Sequence, residues 1–269
     1  MGSHGKIIRI GLVVMAIIAA SLGIYYYFSE KPVEQPAGKP GIPPLDGKGV
    51  SEKEVPFISL PALKESDEWF RKRVKDFATH PKLAEWLKIN NLIRRITAAV
   101  DNIADGISPR AHLKFLAPAK GFTVVKGPEK LYLDPQSYRR YDLVADAFAS
   151  LDAKGAVRIF RELKPLFQEA YRELGYPNQD FQQTLIRAIK ELLGTPIVEG
   201  DIVVEQAVMT YQMVEEDLEN LSDAQKNLLR MGPQNVRKIQ NTLREMALAL
   251  GFPENQLPKP QIYPTVKQQ

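Results

Sequence analysis

Cysteine is absent from the 269 residues, and histidine occurs only three times, at His4, His80 and His112. The first absence excludes disulfides, thiol nucleophiles, thiolate metal ligands and a lipid-modified cysteine. The second leaves no pair of histidines at helix spacing, and His80, directly before Pro81, fits a helix start better than a metal site. No metal centre is expected. Phosphate loops are missing too. There is no G-x-G-x-x-G and no P-loop pattern, and Gly47 and Gly49 lie among prolines rather than between a strand and a helix. The G-x-S-x-G nucleophile elbow is also absent. No cofactor is expected. Nor is charge of one sign in excess. Lys6 and Arg9 supply two of the 36 basic residues, and the rest nearly balance the 32 acidic ones, which leaves no footprint for nucleic acid.

What the chain does contain is one long uncharged apolar run, Ile10 to Phe28. A membrane helix needs about 20 such residues. Lys6 and Arg9 precede the run and Glu30 follows it, so the positive-inside tendency keeps the N-terminus in the cytoplasm and exports the remainder. Tyr25, Tyr26, Tyr27 and Phe28 fall where an aromatic belt meets the outer headgroups. A cleaved signal peptide is the alternative, because Ala19-Ala20-Ser21 offers small residues at a usable spacing. Cleavage there would leave Leu22-Gly23-Ile24-Tyr25 as a greasy free end, so a retained anchor is the preferred reading. Lys6 stands where the myristoylation pattern needs Ser or Thr.

The expected organisation is a cytoplasmic tail over 1–9, a transmembrane anchor over 10–28, a Pro/Gly-rich linker over 29–61, a helical exported domain over 62–252 and a loose proline-containing tail over 253–269. Prolines such as Pro32, Pro36, Pro43 and Pro44 fit an extended spacer that glycines soften, with plain disorder of no functional length as the alternative. Beyond it, Trp69, Phe70, Val74, Phe77 and Ala78 repeat at helix spacing, and Pro81 starts a short helix with Leu83, Trp86 and Leu87. Leu92, Ile93, Ile96, Ala99, Val100 and Ile103 form the cleanest amphipathic stripe. Phe122–Val125 and Leu131–Leu133 are read as a small hairpin, each strand too short to stand alone.

Asp134 before Pro135 signals a helix start, with Tyr138, Tyr141, Ala145 and Phe148 keeping the period. Asp152 caps the next helix, which Pro165 should kink and Gly175 should end. Phe181, Leu185, Ile189 and Leu192 mark another helix, and Ile197–Val204 reads as a lone extended segment. Ser222 with Gln225 fits a capping box. Pro233 opens a last helix with Val236, Ile239, Leu243, Ala247 and Leu250 inward. The fold class is thus mainly α: a single-pass N-terminal membrane helix, then one multi-helix globular domain with minor β.

Several motifs carry a likeness to a known family. They are Leu60-Pro61-Ala62-Leu63 with Ser66-Asp67, Asn91-Leu92-Ile93-Arg94-Arg95 with Val100-Asp101-Asn102, and Tyr132-Leu133-Asp134-Pro135 with Tyr138-Arg139-Arg140-Tyr141-Asp142. Glu169 to Pro177, Thr195-Pro196-Ile197-Val198-Glu199-Gly200 and Leu229-Arg230-Met231-Gly232-Pro233 follow in order. Together they resemble a bacterial family of unknown function, the one numbered 3014, over roughly Leu60 to Met246. The resemblance implies a bacterial envelope protein with one membrane segment. With the charge asymmetry, it puts the anchor in the bacterial inner membrane and the C-terminal domain in the periplasm. It transfers no activity and no functional residue.

Carboxylates are the only catalytic material in quantity, and a peptidoglycan-active enzyme would cleave glycan with two of them or one well-placed acid. Glu65-Ser66 stands at a helix start without the other motifs of such enzymes. Glu169 and Glu173 fit pairing with Arg172, Arg161 or solvent better than acid–base work. Tyrosine is frequent, at Tyr132, Tyr138, Tyr141, Tyr171, Tyr176 and Tyr211, and suits interfaces as well as cores. The expected function is therefore a non-enzymatic binding or scaffold module tethered to the membrane, with an envelope protein or cell-wall partner; glycan cleavage is the alternative. The candidate binding residues are Tyr138, Arg139, Arg140 and Asp142. Both arginines would fall in the first two turns of the helix capped by Asp134, where a cation is unfavourable unless an anion compensates it. Asp134 and Asp142 would compensate it internally, or a ligand carboxylate or phosphate would do so externally.

Overall fold

Asp67 decides how the first helices meet. The computed structural model describes residues 60–75, 80–208 and 210–263, which all fall within one unit, Phe57–Gln269. Helix α1 (Ser66–Lys75) carries Asp67 in its first turn, and the short α2 (Pro81–Trp86) follows. His80 starts α2 as its sequence position suggests, its Nδ1 accepting from the Lys82 amide at 3.3 Å. The next helix, α3 (Leu92–Ala104), begins after Asn91, which is left-handed at φ 59° and gives no side-chain cap of its own. Asp67 supplies the cap from across the junction, accepting from the Asn91 amide at 2.7 Å and the Leu92 amide at 2.8 Å.

The long helices build the main core. One-turn α4 (Pro135–Tyr138) leads through a 3-10 turn into α5 (Asp142–Ala149), and then comes α6 (Ala153–Glu173). After α7 (Phe181–Leu193), the chain makes the short α8 (Glu216–Glu219), α9 (Asp223–Leu229) and the closing α10 (Pro233–Ala249). Helix α3 packs on α6 and α7, and α10 packs on α5, α6 and α7. Leu163 and Tyr171 of α6 are fully buried, and Phe181 stacks its ring on Phe167 at 5.5 Å between centroids. The Asp152 cap and the Ser222–Gln225 capping box form as their sequences indicate.

Helix α6 runs unbroken across Pro165. That proline lies on the exposed side, where the carbonyl its ring leaves unbonded can meet water. Gly175 ends the helix at φ +102°, with the Tyr176 amide donating back to the Tyr171 carbonyl at 3.4 Å in a Schellman turn that disfavours any side chain.

Two small sheets complete the fold. Strands β1 (Val124–Lys126) and β2 (Leu131–Leu133) form the expected hairpin. The stretch Ile197–Val204 is not a lone segment. Its first part is β3 (Ile197–Val198), while β4 (Val203–Gln206) pairs antiparallel with β2 and with β5 (Tyr211–Met213), giving the order β1-β2-β4-β5. Two extra strands are what make the short hairpin viable. Strand β6 (Ile262–Tyr263) lies parallel to β3. The tail after Pro253 is therefore not loose as far as Tyr263. Leu257 is buried, and the Ile197 amide, which needs an acceptor, donates to the Gln261 carbonyl at 2.7 Å. A second, smaller apolar cluster, with Leu133, Ile202, Val204, Met213, Leu218 and Leu229, lies against the four-stranded sheet.

The architecture is mainly helical with a small antiparallel sheet. Among the described residues no helix is long and apolar enough to cross a membrane. The run Ile10–Phe28 and the linker up to residue 59 lie outside the described residues, as do 264–269.

Candidate functional site

The four residues singled out in the sequence part company. Tyr138 packs under Gly232, where a β-carbon would come within 2.3 Å of its ring, so the glycine is required there for space as well as for its φ of +86°. Burial pushes the Tyr138 hydroxyl up to about 12, with Asp201 and Asp134 adding to the rise, so this side chain stays neutral. Asp142 accepts at 2.9 Å from the Asn235 amide, which also donates to the Tyr138 and Met231 carbonyls at 3.2 and 3.0 Å. Asn235 is 2% exposed, and its three bonds join α4, α5 and the start of α10. Tyr138 and Asp142 thus belong to a structural joint.

Arg139 is exposed, and Arg140 turns to a different place. The helix behind Asp134 is a single turn, too short to present the dipole the sequence argument required. Asp134 is already engaged by the Gln136 amide at 2.8 Å and the Thr123 hydroxyl at 2.7 Å.

Arg140 lines an open cleft of about 340 Å³ on the sheet side of the molecule. Three further cations reach the same cleft: Arg110 from a 3-10 turn (Pro109–Ala111), Lys120 from the loop before β1, and Arg230 from the end of α9. No carboxylate lines it. The Arg140 guanidinium is fixed by two backbone acceptors, Nε donating to the Ser137 carbonyl at 2.7 Å and Nη1 to the Lys120 carbonyl at 3.2 Å. It lies 5.7 Å from the Phe122 ring centre and 5.1 Å from that of Tyr141. Such cation–ring contacts hold the plane of the group and leave its edge for an oxyanion. Phe122 in turn leans on Tyr211 at 5.9 Å. Arg230 donates only weakly, to the Tyr211 carbonyl at 3.4 Å. Among the described residues, none of the four cations has a carboxylate within ion-pair distance. Glu219 feels the Arg230 charge from outside the lining, so the cleft walls themselves carry four basic residues and no acid.

Of the four candidate binding residues, only Arg140 lines this cleft, joined by Tyr141 and Tyr211 from the tyrosines noted as suited to interfaces. Arg110, Lys120, Phe122 and Arg230 were not singled out as binding residues because they come from three separate pieces of chain, 110, 120–122 and 230. In the sequence, Pro109, Pro118, Gly121, Gly127 and Pro128 break up the apolar pieces of 107–133, which marks irregular chain but no binding residue.

One acid elsewhere departs upward from its ordinary range. Asp101 on α3 is raised by burial and by the neighbouring Asp105 charge, against the opposing pull of Tyr176, Arg187 and Tyr171. Tyr171 itself shares a 2.9 Å hydrogen bond with Thr184. Glu173 does not pair with Arg172 or Arg161; it takes Arg94, at 2.6 Å.

Fold and cleft together define a mainly helical domain whose sheet side presents an open cleft lined by basic residues. The chain belongs to the family described as Protein of unknown function (DUF3014), which matches residues 92–247, more than half of its length. No curated protein and no solved structure matches it.

Proposed function

We propose that this protein is a non-enzymatic binding module of the bacterial envelope, held at the inner membrane by the run Ile10–Phe28 with its folded domain in the periplasm. The Pro/Gly-rich stretch then acts as a spacer, and the cation-lined cleft is the face offered to an envelope protein or cell-wall partner. The observation that carries this reading is the cleft lining: four basic side chains, no acid, and Arg140 clamped between backbone carbonyls and aromatic rings. Glycan cleavage by carboxylates needs an acid at the bound sugar, and this cleft offers none.

The rival reading rests on Asp101, whose carboxyl is raised above its ordinary range by burial and by the Asp105 charge, the direction a general acid needs. It lies on α3, among tyrosines and Arg187, and it is not part of the cleft lining. The two readings separate in one experiment. A photocrosslinking residue at Thr210 in the full chain, expressed in cells, should form adducts that disappear in Arg140→Gln/Arg230→Gln and persist in Asp101→Asn. Adducts that ignore the arginines would remove the cleft from the account. Muropeptide release that needs Asp101 would establish the enzyme instead.

A further inference from the structure

We infer that the anion taken by the cleft is a phosphate ester group; this rests on the cleft being the ligand site. A carboxylate is planar, carries one charge and is satisfied by a single guanidinium fork. A phosphate monoester carries about −2 and presents oxygens tetrahedrally, so it needs donors from several walls. The cleft supplies that arrangement: Arg110, Lys120, Arg140 and Arg230 come from four different pieces of chain. Asn227 and Thr210 add neutral polar groups to the same lining.

Arg140 is the central donor. Its Nε and Nη1 each hold a carbonyl and its plane is set by Phe122 and Tyr141, which leaves Nη2 without a protein partner among the described residues. The guanidinium is ordered before the ligand arrives, so little side-chain entropy remains to be lost on binding. The exposed parts of the Phe122, Tyr141 and Tyr211 rings provide the apolar wall on which the body of the ester rests. A free phosphorylated metabolite and a lipid headgroup share this chemistry.

The absence of cysteine makes the test direct, because Thr210→Cys gives a single labelling point on the cleft wall. The full chain carries an environment-sensitive dye there. In detergent micelles it is titrated with glycerol 3-phosphate and with succinate, a dicarboxylate of similar charge. Reconstituted through its anchor, it is compared in vesicles of phosphatidylcholine alone and with phosphatidylglycerol added. The proposal expects glycerol 3-phosphate to bind about tenfold more tightly than succinate, or the dye to respond only in the anionic vesicles. The first outcome assigns a soluble phosphate ester and the second a lipid headgroup.

Either response should fall at least about tenfold in Arg140→Lys, which keeps the charge and loses the fork. It should also fall in Arg110→Gln/Lys120→Gln, whose side chains make no hydrogen bond or ion pair among the described residues. Equal responses to succinate and phosphate, a response that survives these substitutions, or no response to any probe would overturn the proposal. If arginine-dependent adducts from Thr210 still form in cells, the binding-module reading stands and only the phosphate assignment is lost.

Discussion

Arg94 and Arg140 are both half-buried arginines beside short turns, yet they serve opposite ends. On the helical side, Arg94 grips Glu173 through Nε at 2.6 Å and Nη2 at 2.9 Å, and the contact holds the Glu173 carboxyl below its usual range. Its neighbours behave alike: Arg73 meets Glu162 at 2.9 Å, and Arg187 meets Asp105 at 3.3 Å. On the sheet side, Arg140 holds only carbonyls and rings, and Arg110, Lys120 and Arg230 line the same open space, whose lining contains no acid. Each exposed pair on the helical side contributes about 0.2–1 kcal/mol at most. Near-neutral overall charge thus hides an uneven distribution, with carboxylates paired to the helical-side arginines and none in the cleft lining.

The largest effect should come from the helical core. Leu163 is fully buried on α6, so Leu163→Ala should cost about 2–5 kcal/mol in denaturant unfolding. A smaller but still clear loss is expected at the joint between the two regions. Gly232→Ala forces a side chain into φ +86° and against the Tyr138 ring, and should cost about 1–3 kcal/mol. Because that joint also carries Arg140 two residues along from Tyr138, the same variant should weaken capture at the cleft; intact capture would separate joint and cleft.

Asp101 gives the smallest effect and the most diagnostic sign. Its folded carboxyl titrates higher than the unfolded one, so the folded state binds more protons between those two points. Stability from this group is therefore greatest at low pH and declines as pH rises through the raised value. Asp101→Asn should flatten that decline and leave the protein slightly more stable at neutral pH, as read from melting temperature against pH. A variant less stable than wild type at neutral pH would mean that the ionised acid is needed by Tyr176 and Arg187.

Much of the helical region was legible in the sequence because its signals are local. Asp152, Ser222 and Asp134 announce their helix starts, and the stripe from Leu92 to Ile103 has one helix period throughout. The motifs behind the family likeness turn out to mark joints. Ser66-Asp67 meets Asn91-Leu92, and the Tyr138–Asp142 motif meets Gly232 and Asn235. What escaped was non-local. The tail strand Ile262–Tyr263 forms only because Ile197–Val198 has unpaired backbone to offer, and two-residue strands leave no periodic trace. The cleft escaped for the same reason, since no window of sequence contains both Arg110 and Arg230. Arg140 was reached by a helix-dipole argument that the one-turn α4 does not sustain.

The central claim is that the cleft cations serve a ligand and not the fold. Arg71 is the control, since it ties α1 to the next turn through the Leu87 carbonyl at 2.6 Å and the Ile89 carbonyl at 2.8 Å. Denaturant unfolding at low salt should show Arg71→Gln losing about 1 kcal/mol or more. The double variant Arg110→Gln/Lys120→Gln should stay within about 0.5 kcal/mol of wild type, or gain slightly as like charges are removed. A double variant that unfolds as readily as Arg71→Gln would contradict the claim and return these cations to the fold.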